Sequence, residues 1–537
     1  MNQSIDYSAI MPVLIVGLGA LGVLLTDLFT SKERKTDLAW LTVGVVTIAL
    51  IAELGLWIGG AATKPRLTFC LNSQHSTVLN CSYSADSFTL TIQTLLLAGT
   101  LLTVLMAPRR FNVPFGEYHF LILCSLTGAL VMAAARDFIT MTVALETLSL
   151  PAYALVGFGR KTKSVESVES VDSGNRRSGE VSGAEAALKF FLMSVASTAI
   201  MLFGISLVYG VTGSVYFVRI EAVLGLTGYH ASILTTGMVL TLAGFAFKIS
   251  AVPFHFWTPE VYAGAPVPVA AYLSVVSKTA GFAGLILTLE LAFRTETHNL
   301  GTLIAILAAV TMTLGNLVAL RQRSAVRLLA WSTVAQAGYV LVPLAVTSWN
   351  GTDLSRQAVL AAGDLGPAVA ASVAYLVFYA AMNLGAFGVV SALGGTLPGG
   401  GELADYRSLS SRQPRAAWPL GLFLLCLAGL PPGLMGLFAK VAVFRAVISG
   451  GLTWLAVIMA VNVVIALFYY LRWAAALFAP AVATAPAAVP AGAEATEAVA
   501  TYRSALARSV PLGPRLAVGL ALVVTIFFSL YPAPAFR

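Results

Sequence analysis

The residues able to do chemistry in this chain are ionisable groups set inside apolar runs: Glu146, Lys189, Lys248, Lys278 and Lys440. A charge at membrane depth is costly unless it faces protein or water, so such residues mark a polar path or site. Glu146 lies in MTVALETLSLPAYALVGF, and its carboxylate can serve as partner to one of the lysines. A nearby carboxylate strengthens a lysine's hold on its proton and desolvation weakens it. Changing their separation would move the balance, which is the physical requirement of a pump element. The alternative for Glu146 is a packing role through an internal hydrogen bond.

Lys248 is the strongest of the set, because it lies just before a broken stretch, GFAFKISAVPFHFWTPEVYAGAPVPVAAYLSVVSK, that ends on Lys278. Pro253, Pro259, Pro266 and Pro268 remove backbone donors there. Such breaks persist at membrane depth only where water or protein satisfies the freed carbonyls. Snorkelling to the interface is the alternative for Lys248. His255, just past the break, titrates near neutral pH and suits either a proton relay or a structural hydrogen bond. Lys278 has Ser274 and Ser277 beside it as local hydroxyl partners. Lys189 has Glu185 one turn earlier, an (i, i+4) pair that would serve the path or steady the helix start.

A second break follows the same grammar: GLPPGLMGLFAKVAVF places Lys440 eight residues beyond Pro432, about 12 Å along an ideal helix. Tyr375, Tyr379, Asn383 and Gln336 are positioned to extend a hydrated polar chain between Lys278 and Lys440, or to glue helices together. His119 and His230, near span starts, are weaker candidates.

These residues require membrane helices to hold them. The 537 residues are 58% hydrophobic and 10% charged, with a mean hydropathy of +0.85, where a soluble domain would be about 25% charged. Runs of about 20 apolar residues cross a hydrocarbon core of about 30 Å as helices. Fourteen such spans are read at 9–29, 38–60, 86–106, 117–135, 138–158, 184–210, 229–252, 267–291, 299–320, 325–346, 367–390, 417–448, 453–477 and 512–531. The predicted fold is an all-α polytopic membrane protein of about 14 transmembrane helices, with helices 7 and 12 broken. Paired interrupted spans point to two inverted five-helix repeats, spans four to eight against nine to thirteen. The organisation expected is an N-terminal three-helix segment (1–116), a first repeat (117–291) with a serine-rich mobile cytoplasmic loop (159–183), a second repeat (299–477), and a flexible insertion with the last helix (478–537).

Basic residues favour the connections after odd-numbered spans, as in Lys32, Arg34 and Lys35, Arg109 and Arg110, the 159–183 loop, and Arg321, Arg323 and Arg327. By the positive-inside bias these loops are cytoplasmic and both termini lie on the outer face. The formal charge of +8 is thus a topological signal; no basic cluster interleaved with exposed aromatics suggests a nucleic-acid partner. Cys70 and Cys81 share an outside connection and form either a disulfide or two unlinked thiols. Cys124 and Cys426 read as small buried hydrophobes. No spacing suggests haem, iron–sulfur or zinc ligation, and none suggests a phosphate loop.

The segments ETLSLPAYALVGF, EAALKFFLMSVAST, FKISAVPFHFWTPEVYAGAPVPVAAYLSVVSKTA and LAGLPPGLMGLFAKVAVF together resemble the antiporter-like subunits of bacterial NADH-quinone oxidoreductase, respiratory complex I, and most closely the subunit N type. The resemblance covers essentially all fourteen spans. It implies a proton-translocating membrane-arm subunit of the bacterial plasma membrane, in which Glu146 pairs with Lys248. Protons would pass laterally through Lys278, Lys440 would communicate with the opposite side, and Lys189 matches a further family lysine. It implies no cofactor in this chain, with NADH, FMN, iron–sulfur clusters and quinone handled elsewhere in the complex. Expected partners are other membrane-arm subunits, especially the antiporter-like subunit M and the small subunits beside N, and membrane lipids. A subunit of a multi-subunit cation/proton antiporter and a mainly structural membrane subunit are the competing readings.

Overall fold

A computed structural model describes residues 5–31, 35, 37–71, 80–107, 114–159, 182–227, 232–347, 366–394, 397, 401–480 and 512–535. Most of the 159–183 loop and of the 478–511 insertion lies outside the described residues, as do His230, Lys32, Arg34, Arg109, Arg110 and Arg356.

Chain order gives α1 (Met11–Phe29), α2 (Asp37–Ile58), a hairpin of β1 (Arg66–Leu71) and β2 (Asn80–Ala85), then α3 (Ser87–Met106), α4 (Phe115–Ala134), α5 (Phe138–Gly157) and α6 (Gly183–Thr212). A short helix α7 (Phe217–Thr227) precedes α8 (Ser232–Lys248) and α9 (Trp257–Gly264). The span α10 (Val267–Ala292) follows, then α11 (Thr297–Ala319), α12 (Ala325–Thr347), α13 (Gly366–Leu393), α14 (Pro414–Ala428), α15 (Leu434–Ser449), α16 (Thr453–Phe478) and α17 (Leu512–Leu530). Among the described residues twelve helices are long and apolar enough to cross a membrane, and α8 and α14 are shorter apolar helices. Together they account for the fourteen predicted runs, and the two short ones fall at the two proline breaks.

The helix ends follow local chemistry. Asp86 caps α3 by accepting from Thr89 N–H at 2.9 Å, and Asp137 caps α5 by accepting from Thr140 N–H at 2.8 Å. Both α10 and α12 are almost wholly buried, whereas α1, α2, α6 and α17 keep broad apolar faces exposed, as expected where lipid or another subunit covers them. Two π turns, Leu273–Ser277 and Thr288–Ala292, interrupt α10. The first lies immediately before Lys278, and such bulges recur at functional sites.

The hairpin is the departure from an all-helical reading. β1 and β2 pair antiparallel with Cys70 opposite Cys81, and these two cysteines form a disulfide. Polar residues and a short connection concealed two strands too brief to show a period. The N-terminal segment docks on the hairpin, with Asp6 N–H donating to Thr68 Oγ1 at 3.0 Å.

A line of buried lysines as the candidate functional site

The first break begins where α8 stops. Ser250 adopts a left-handed φ of 63°, and Ala251 N–H returns to Ala246 O at 2.8 Å, closing the helix end in the manner of a Schellman turn. The carbonyl of Phe247 is recovered by the Trp257 indole N–H at 3.0 Å, and Thr258 donates to Ser250 Oγ at 2.7 Å. The 229–252 span is therefore a shorter helix followed by a satisfied, non-helical turn.

Lys248, the last residue of α8, is only 2% exposed. Its Nζ donates to Ser149 Oγ on α5 at 2.8 Å. Glu146 instead accepts from Thr198 Oγ1 of α6 at 2.7 Å. The expected Glu146–Lys248 contact is thus corrected: Ser149, three residues on and one turn along the same helix, holds the ammonium, and Glu146 is bonded to α6 instead. Lys189 makes the (i, i+4) pair with Glu185 at 2.8 Å, and Glu260 of α9 joins it at 2.6 Å. This cluster is about half exposed, so it carries little stabilisation; it ties α6 to the far side of the break.

Lys278 is 2% exposed and does not use the neighbouring serine hydroxyls. Its Nζ donates to the Thr333 carbonyl of α12 at 3.0 Å. Ser274 instead donates to Ala271 O at 2.8 Å and accepts from Asn383 Nδ2 at 2.8 Å. Tyr379 OH lies 3.0 Å from Thr333 Oγ1 and 3.2 Å from Ser274 O, so α10, α12 and α13 meet around this ammonium.

In the second break Gly429, with φ 80°, ends α14, and Lys440 of α15 reaches back to donate to Leu427 O at 3.1 Å and to Ala428 O. These are carbonyls that a helix C-terminus leaves unpaired, at the negative end of its dipole. Where Trp257 completes the first break, the lysine itself completes the second. Lys440 is 4% exposed, and its Nζ lies 6.0 Å from the centre of the Tyr339 ring.

One face of α12 connects the two sites. Thr333, Gln336 and Tyr339 recur every three residues, spanning about 9 Å of rise. Tyr375 OH donates to Gln336 Oε1, and Gln336 Nε2 donates to Tyr470 OH at 3.4 Å. Asn316 Nδ2 donates to Tyr339 OH at 3.2 Å and Asn462 Oδ1 at 3.1 Å, while Tyr469 OH donates to Asn316 Oδ1 at 3.0 Å. The structure therefore brings together Lys278, Tyr379, Asn383, Gln336, Tyr375 and Lys440. His255 sits in the first break, buried and tilted against Trp331 of α12 with ring centroids 5.3 Å apart. His119 lies apart from this line, buried in α4.

Sequence reasoning missed Ser149, Thr198, Glu260, Thr333, Tyr339, Tyr470, Asn316 and Asn462. The spacing of Ser149 from Glu146 carried a signal; the others become visible only when helices distant in sequence meet. It also passed over Glu53, although a carboxylate in the apolar run LIAELGLWI is conspicuous.

A family model described as NADH:quinone oxidoreductase/Mrp antiporter, transmembrane, matches residues 175–466. A Streptomyces griseus protein named NADH-quinone oxidoreductase subunit N 2 is 49% identical over 483 residues, covering 89% of this chain and 83% of the relative. The chain belongs to the NADH-quinone oxidoreductase subunit N family. A second subunit N, from Salinispora tropica, is 40% identical over 499 residues, covering 91% of this chain and 88% of its own length. Among solved structures, a chain of respiratory complex I from Thermus thermophilus matches with a TM-score of 0.70 and 27% identity, over 98% of both chains. The buried lysines thus lie in a multi-pass membrane protein of the subunit N family, and Lys248, Lys278 and Lys440 fall inside the region its family model matches.

Proposed function

We propose that this chain is a proton-translocating membrane-arm subunit of NADH-quinone oxidoreductase, moving protons through Lys248, Lys278 and Lys440 while NADH oxidation and quinone reduction occur in other subunits. The observation that carries this reading is that each of the three buried ammonium groups rests on neutral oxygens: Ser149 Oγ, Thr333 O, and the carbonyls of Leu427 and Ala428. A protonated lysine has three donors. The neutral amine keeps two, enough for every hydrogen bond named here, so each lysine can release its proton without stranding a partner. A permanent salt bridge would instead leave a buried carboxylate uncompensated.

In this scheme the driving event shifts Lys248 between Ser149 and Glu146. The resulting change in charge biases Lys278 through the protein interior, and the α12 face passes it to Lys440. Lys189 and His255 are supporting positions, at the ion-pair cluster and in the break.

The repeats 117–291 and 299–477 are the two halves of this device. In support, α4 packs on α5 much as α11 packs on α12, and each half contains one break. Both termini are assigned to the outer face. The disulfide supports this, because it favours an oxidising side for the hairpin and the N-terminal segment docks there. The neighbours expected are subunit M and the small membrane-arm subunits beside N; the redox cofactors belong to other subunits.

The decisive experiment compares proton pumping and NADH-driven quinone reduction in sealed membranes for native complex and Lys248→Ala at matched assembly. Loss of pumping with the subunit incorporated supports the reading; normal pumping per electron overturns it. A cation/proton antiporter is the second reading, which the Mrp part of the family description favours. It requires cation exchange without NADH.

A further inference from the structure

Glu53 lies outside the lysine line. It is fully buried in α2, and neither carboxylate oxygen has a hydrogen-bond partner among the described residues. Its level in the membrane is fixed by its neighbours. Leu56 of α2 packs with Leu90 of α3, and the two helices flank a hairpin and run antiparallel. One turn deeper on each, Glu53 and Gln93 stand at the same height, five residues or about 8 Å below the hairpin end of α2.

Gln93 Nε2 donates to Leu130 O of α4 at 2.8 Å and to Tyr83 OH of β2 at 3.2 Å. Because the Leu130 carbonyl accepts, the amide cannot be turned round, and Gln93 Oε1 is left buried without a donor. Above Gln93 on the same face of α3, Thr89 accepts from Arg136 Nη2 at 3.0 Å, and Arg136 pairs with Asp86 at the hairpin face. Polar groups therefore run from that face down to Gln93, at the level of Glu53.

The other surroundings are apolar. At this level α4 offers Leu130 and Ala133, while α1 packs on α2 through Gly19 and Val45. The titratable or charged groups facing Glu53 from the packed elements, among the described residues, are Tyr83 and, further up, the Arg136–Asp86 pair.

We propose that Glu53 is a proton-binding site of the N-terminal three-helix segment, taking up and releasing a proton with water on the hairpin face through Gln93, Tyr83 and the Arg136–Asp86 pair. An unpartnered carboxylate in an apolar interior is far more costly than the neutral acid. The acid also supplies the donor that the Gln93 environment lacks. In the exchange, one proton from hairpin-side water adds to a carboxylate oxygen of Glu53, and the reverse step returns it. The site stands apart from the lysine line, and its protonation is measurable without turnover.

The test is infrared difference spectroscopy of the assembled complex between acid and alkaline buffer, reading the carbonyl stretch of protonated carboxyl groups. The native complex is expected to show a band that grows as pH falls. Glu53→Gln should lack it, and Glu53→Asp should show it at a displaced frequency, which preserves the test should the glutamine variant fail to assemble. Native and variant spectra that superimpose would overturn the proposal. So would a Glu53 band of constant intensity across the pH series, since a proton that never exchanges is not a bound ligand.

Discussion

Gly429→Ala tests the seat of Lys440 directly. A Cβ built at Gly429 would lie 3.0 Å from both Cδ and Nζ of Lys440, closer than an ordinary contact allows. The backbone there has φ 80°, and a left-handed conformation costs a non-glycine residue about 1–2 kcal/mol. Displacing the ammonium from one of its two carbonyls forfeits a charged hydrogen bond of about 1.5–3 kcal/mol. The sum is about 3–5 kcal/mol, of which only the strain falls on the fold. The remainder falls on the site and corresponds to a roughly 10- to 100-fold loss of the seated ammonium, taking about 1.4 kcal/mol per factor of ten.

Gly451→Ala is the matched control: its φ is 77°, yet no atom lies within 4 Å of the added Cβ. The assay is protons released per NADH oxidised in sealed membranes, with subunit content checked in each preparation. The expected outcome is a clear fall in the proton ratio for Gly429→Ala and a native ratio for Gly451→Ala. Equal ratios in the two variants would refute the reasoning that the glycine positions the lysine.

Four further outcomes follow from the same geometry. Ser149→Ala removes the hydroxyl that accepts from Lys248 at 2.8 Å; a loss of about 1.5–3 kcal/mol should slow pumping-coupled turnover at least tenfold, and Ser149→Thr should restore part of it. Gly281→Ala places a Cβ 3.0 Å from Lys248 Cγ, a contact the flexible stem can relieve, so a smaller fall than for Ser149→Ala is expected in the same turnover assay. Cys70 and Cys81 should resist alkylation until reduced, as peptide mass mapping would show, because they form a disulfide.

Asp86 gives a pH dependence. Burial raises the pKa of its carboxyl, but the Arg136 charge and the hydrogen bonds from Thr89 N–H, Arg136 and Ser84 outweigh burial and hold it below the usual carboxylate value. Its stabilisation is therefore complete above the unfolded value of about 3.9 and fades as pH falls through the lower folded value. Thermal unfolding against pH should show this acid loss in the native protein. Asp86→Asn, which strands Arg136, should begin about 3–5 kcal/mol less stable and lack that component of the acid slope.

The sequence by itself determined the membrane class, the fourteen apolar runs, the two breaks and the lysines beside them. Each of these is local: twenty apolar residues can cross the bilayer only as a helix, and closely spaced prolines remove the backbone donors a helix needs, although the single prolines Pro151 and Pro343 stay inside α5 and α12. Only the tertiary structure decided what each lysine touches. Lys248 bonds a residue 99 positions away and Lys278 one 55 positions away, and a lysine's four-carbon stem can reach several acceptors from one backbone position. Glu146 was legible as a partner for one of the lysines, but the Ser149 hydroxyl that holds Lys248 was settled by how α5 meets α8. Likewise, Lys440 was legible as a charge beyond a break, and its role as the cap of α14 was not. The hairpin arises from the backbone pairing of two short strands, and the level shared by Glu53 and Gln93 from the packing of α2 on α3, where contact rather than periodicity sets the outcome.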